Sequence, residues 1–70
     1  MHNEYTAVIK KVDKYWIGWI EEVPGVNCQE RTKGELIESL RITLKEALEF
    51  NRLDALSAAG VDFKEETIAV

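Results

Sequence analysis

The chain of 70 residues contains one cysteine, one proline, one histidine and four glycines. A single cysteine rules out an internal disulfide, and a lone thiol suits a reducing compartment. His2 and Cys28 together are too few to build a zinc site. The glycines at 18, 25, 34 and 60 are scattered, so no glycine-rich loop is present to cradle a phosphate. Positive charge is also scarce. Nine Lys and Arg stand against thirteen Asp and Glu, a net charge of -4. Nucleic-acid binders carry a basic patch or stripe to neutralise phosphates. The close basic cluster here is Lys10-Lys11 with Lys14, which reads as a solvated strand end and turn. An acidic domain steers more naturally towards a basic partner. No apolar run approaches the ~20 residues that span a bilayer. The opening MHNEYTAV has neither the basic nor the apolar region of a signal peptide, so a cytoplasmic protein is expected, away from membranes.

The length suits a single domain over residues 1–70. A domain of this size hides only roughly 60% of the surface its unfolded chain exposes. Small domains of this kind gain stability from disulfides, metals or association. Composition disfavours the first two, so association with another chain is expected.

Tyr5 to Val12 is rich in β-branched and aromatic residues and reads as a strand. Asp13-Lys14 makes a tight turn, although Lys14 is not the glycine that two-residue hairpins prefer. Tyr15 to Val23 is a second strand. Pro24-Gly25 breaks it, since Pro cannot donate to a ladder and Gly tolerates positive φ. Val26 to Arg31 forms a short third strand. Thr32 and Glu35 then make a T-x-x-E capping box, in which Thr32 accepts from the Glu35 N–H and the Glu35 side chain reaches back to the Thr32 N–H. Leu36, Ile37, Leu40, Leu44, Ala47 and Leu48 recur at helical spacing as one apolar stripe. Ile42 falls among the polar positions. A break is expected near Asn51 to Asp54, with Asp54 capping a second short helix that ends at Gly60; the alternative is that the first helix simply continues. The alternating FKEETIAV at 63–70 reads as a fourth strand. The order β-β-β-α-(α)-β predicts an α+β fold: an antiparallel sheet of three to four strands with the main helix on one face.

Strand two alternates Trp16, Gly18, Ile20 and Glu22 with Tyr15, Ile17, Trp19, Glu21 and Val23. Both sets carry large apolar groups, and one helix covers only one of them. Gly18 marks close approach of another element. The helix is therefore expected over Trp16, Gly18 and Ile20, with Val26 and Cys28 beside them. Tyr15, Ile17 and Trp19 are left on the uncovered face, as anchors for a partner or a second copy; the alternative is that the chain's own loops or the second helical segment cover that face.

Catalytic constellations are missing. Cys28 and His2 are the one candidate nucleophile–base pair, and a lone Cys on a strand is ordinarily a small core residue. The acids lie mostly on solvated faces, so no cofactor, metal or enzymatic role is expected. An RNase-H-like enzyme would need clustered carboxylates around a metal, and Asp13, Asp54 and Asp62 are spread over turns and loops.

The run YTAVIKKVDKYWIGWIEEVPG, a short strand, and then T-x-GELIESLRITLKEALEF resembles the HicB-type antitoxins of bacterial and archaeal toxin–antitoxin pairs. The matching positions are Tyr5, Tyr15, Trp16, Gly18, Ile20, Pro24, Gly25, Thr32, Glu35, Leu40, Ala47 and Leu48, with EETIAV similar to the family's closing strand. The family often places a Cys directly after the Pro-Gly turn, whereas here Val26 follows it and Cys28 comes two places later. The resemblance implies a partial RNase-H-like fold that associates with itself as a homodimer or higher oligomer. It also implies binding to a small basic HicA-type toxin, an mRNA-cleaving ribonuclease, by covering its RNA-facing surface. Glu21, Glu22, Glu65 and Glu66 are candidates for an acidic rim opposite that surface. Many HicB chains continue into a ribbon-helix-helix or helix-turn-helix domain, which these 70 residues do not include, so direct DNA binding is not expected of them. A self-associating scaffold or adaptor of the same fold, without a toxin partner, is the alternative.

Overall fold

The structure is a computed structural model and describes residues 4–70. Three strands, β1 (Ala7–Val12), β2 (Tyr15–Ile20) and β3 (Asn27–Glu30), precede one long helix, α1 (Lys33–Ala59). The strands form an antiparallel sheet in the order β1-β2-β3, with Ile9 opposite Gly18 and Gly18 opposite Cys28. This is the expected α+β architecture of three strands followed by a helix.

Local chemistry explains each junction. Asp13 takes φ 55 in the two-residue β1–β2 turn. Asp is among the few side chains that tolerate this left-handed region, so the hairpin closes without a glycine. Beyond Ile20 the chain leaves the sheet sooner than the expected strand end at Val23. Gly25 has φ 92, and the Ile20 N–H donates to the Val26 carbonyl at 3.2 Å, closing the loop. That turn swings Val23 and Val26 inward, at 8% and 2% exposure. Val23 therefore joins the core and not the outer face that strand alternation assigned to it.

Thr32 caps α1 from an extended conformation (φ -126) and accepts from the Glu35 N–H at 3.1 Å. Glu35 answers differently from the expected reciprocal box. Its carboxylate accepts from the Thr32 hydroxyl at 3.0 Å and not from the backbone. Ser39 donates to the Glu30 carboxylate at 2.6 Å, and the Cys28 thiol meets the Thr43 hydroxyl at 3.5 Å. These contacts lace the first turns of α1 to β3.

Ile20, Val23, Val26, Leu36 and Leu40 form the buried core, with Ala7, Ile9, Trp16, Cys28, Leu44, Ala47 and Leu48 packed around it. Gly18 permits this packing. A Cβ there would lie 3.0 Å from Leu40 Cδ1, 3.0 Å from the Val8 carbonyl oxygen and 3.1 Å from Ile9 Cγ2. The helix and β1 thus approach the glycine as closely as its missing side chain allows.

Two expectations fail beyond Leu48. The helix does not break at Asn51–Asp54 but runs to Ala59, where Gly60 (φ 83) ends it. Asn and Asp inside a helix cost less than about 0.7 kcal/mol each relative to Ala. With no Gly or Pro between Leu48 and Gly60, nothing local stops it. Asp54 is consequently a mid-helix residue and not a cap. Residues 63–70 form no strand and are exposed. The unbroken helix explains this too. Leu44 lines the same hollow as Ala7, and fifteen further residues to Ala59 carry the chain about 22 Å past that point.

Candidate partner-binding surface

The face of the sheet away from α1 is built from alternate residues of all three strands. Tyr15 pairs with Val12, Ile17 with Lys10 and Gln29, and Trp19 with Val8 and Asn27. The period of two places Tyr15, Ile17 and Trp19 side by side here, and Trp16, Gly18 and Ile20 on the helix side. Tyr15 and Trp19 are each 38% exposed, while Ile17 is half-buried. No other element among the described residues packs on this face. An open hollow of about 350 Å³ lies on it, lined by Ile17, Gly18, Trp19, Asn27, Cys28 and Gln29. The surface offers two aromatic side chains and an isoleucine between amide groups, which suits burial against a protein partner.

The proposed acidic rim divides. Glu21 and Glu22 follow β2, and both hold the chain entering β1. The Glu21 N–H donates to the Thr6 carbonyl at 2.9 Å, and the Glu22 carboxylate accepts from the Thr6 N–H at 2.8 Å. Glu22 thus has a structural task that its position in the sequence did not signal. Glu65 and Glu66 lie on the segment after Gly60, outside the sheet, so the structure does not assemble the four acids into one rim.

Asp13, Asp54 and Asp62 fall on the hairpin turn, the middle of α1 and the segment after it. Among the described residues no group of three or more His, Cys, Asp or Glu is placed to hold a metal ion. Cys28 packs beside the core against Thr43, and His2, its one candidate partner, lies outside the described residues. No described helix is long and apolar enough to cross a membrane. Alternation along β2 pointed to Tyr15, Ile17 and Trp19, but it could not reveal their neighbours Val8, Asn27 and Gln29, which come from strand register. Comparison with protein-family models, with curated proteins and with solved structures returns no match.

Proposed function

We propose that this protein is an antitoxin-like inhibitor that binds and neutralises a small, basic, HicA-type mRNA-cleaving toxin by covering its RNA-facing surface. The observation that carries this reading is the open sheet face bearing Tyr15, Ile17 and Trp19. The succession of aromatic strand, Pro24-Gly25 turn and Thr32-capped helix, which carries the resemblance to HicB-type chains, supports it. So does the net charge of -4, which favours encounter with a basic partner. Neutralisation on this reading needs no catalytic group. Apolar anchors hold the toxin while acidic side chains oppose its basic RNA surface, with Glu21 the rim residue that lies beside the sheet.

The test is genetic and biochemical. A short reading frame for a basic protein is expected beside the gene, its product arresting growth when expressed alone and not when co-expressed with this chain. The pair should co-purify at moderate salt, and Trp19→Ala should abolish both effects while the chain stays folded. Lack of such a neighbour, or a toxic neighbour that fails to co-purify, defeats the proposal. The second reading, a self-associating scaffold of the same fold, draws on the exposed Phe50 and Leu53 of α1, which a toxin on the sheet face would not cover. It predicts oligomers without a nuclease partner.

A further inference from the structure

For 8.0 kDa the molecule is unusually open. It exposes 6015 Å² and has a radius of gyration of 15.2 Å. A compact chain of this mass exposes about 4,450 Å² and has a radius of about 11 Å. The excess surface, about 1,500 Å², is larger than the ~800 Å² that each partner contributes to a standard interface. The distal part of α1 and the segment after it contribute to it, with Phe50, Leu53, Val61, Phe63 and Ile68 exposed.

We propose that the segment Phe63–Val70 of one copy adds as a fourth, antiparallel strand to the free edge of β1 in a second copy, reciprocally. Both halves of this contact exist on every molecule. The receiving edge, β1, is an outer strand of the sheet and carries Lys10 and Lys11, with Lys14 after it. The donated segment carries Glu65 and Glu66 on an alternating pattern.

One register satisfies charge and burial together. Setting Glu66 opposite Lys11 also sets Lys64 opposite Asp13, Ile68 opposite Ile9 and Val70 opposite Ala7. Residues directly opposite on one face interact, and opposite charges there are favourable. Ile9 and Ala7 point to the helix side, where a hollow of about 440 Å³ is lined by residues that include Ala7, Ile20, Leu40 and Leu44. Ile68 and Val70 would enter it. Glu65 would lie beside Val12 on the outer face, diagonal to Lys10 and Lys14.

Reach distinguishes the second copy from the chain's own edge. The end of α1 stands about 22 Å beyond Ala7, and the ten residues 61–70 extend at most about 33–36 Å. Folding back, the segment lays only its last few residues beside its own β1, parallel to it. Glu65 and Glu66 then stop short of the lysines. In the two-fold exchange the overhang is an asset. It displaces the second sheet by about one strand length, since six residues of β1 span about 20 Å, and the same displacement serves both tails.

The test uses the full chain. Light scattering should return twice the 8.0 kDa of one chain. Glu66→Lys should shift the mass towards monomer at equal concentration, and adding Lys11→Glu should restore the dimer. In a Cys28→Ser background, Lys10→Cys with Thr67→Cys should give a disulfide-linked dimer on mild oxidation, because this register sets the two opposite each other. The one-residue slip, Lys10→Cys with Glu66→Cys, should give several-fold less. A wild-type monomer, failure of the charge swap to restore the dimer, or a disulfide confined within one chain each overturns the exchange. None of these outcomes bears on toxin binding by the sheet face.

Discussion

The two ends of α1 lie in opposite circumstances. Its first half carries Leu36 and Leu40, at 0% and 2% exposure, and is laced to β3 through Ser39 and Thr43. Its second half, from Glu49 to Ala59, has one half-buried residue, Leu56, and exposes Phe50 at 67% and Leu53 at 53%. Yet the two halves are equally regular as helix. Isolated helices shorter than ~12–15 residues are marginal in water. The distal half therefore persists as a continuation of a packed helix, and its apolar side chains gain nothing until another chain arrives. Stability resides in one half of the molecule and unused contact surface in the other.

Substitutions sharpen this contrast. The largest loss is expected from Leu40→Ala, about 2–5 kcal/mol, because Leu40 fills the space over Gly18. Against the roughly 4–10 kcal/mol available to a domain of this length, that is a large share, and thermal melts should show a midpoint lower by at least about 8 °C. Gly18→Ala should cost about 1–3 kcal/mol by the same contact, since the Val8 carbonyl at 3.0 Å is backbone and cannot rotate away. Trp16→Ala should lower the melting midpoint clearly, whereas Trp19→Ala should leave it nearly unchanged and weaken partner binding. The reverse order would exchange the roles assigned to the two faces. Thr32→Ala should cost about 1 kcal/mol by removing the cap. Smallest is Arg52→Ala, which removes an exposed pair with Glu49 at 3.7 Å and should change stability by under about 0.5 kcal/mol. A large effect there would mean that the distal helix is packed within its own chain.

The proximal half was legible in the sequence because its signals are local. Pro24-Gly25, the Thr32–Glu35 pair and the leucine spacing each act within a few residues, and Gly18 announced the close approach of α1. Val23 was misplaced because alternation holds only while the chain stays in the sheet, and β2 ends three residues earlier. The distal half misled for an energetic reason. Asn51 and Asp54 look like punctuation, but their cost in a helix is a few tenths of a kcal/mol each, too little to stop it. Once the helix continued, FKEETIAV could not reach its own sheet as a full strand, however strand-like its alternation. Of the candidate site, Tyr15, Ile17 and Trp19 followed from period two alone. The engagement of Glu22 with Thr6 depends on a contact sixteen residues apart and left no pattern to read.

Hydrogen exchange on the intact chain across a dilution series tests the division most directly. Amides between Leu36 and Leu48 should stay protected at every concentration. Those of residues 64–70 should be protected only where the dimer is populated, and should lose protection together on dilution. Amides of 64–70 as protected as the proximal ones at all dilutions would mean that the segment closes on its own chain, against the exchange.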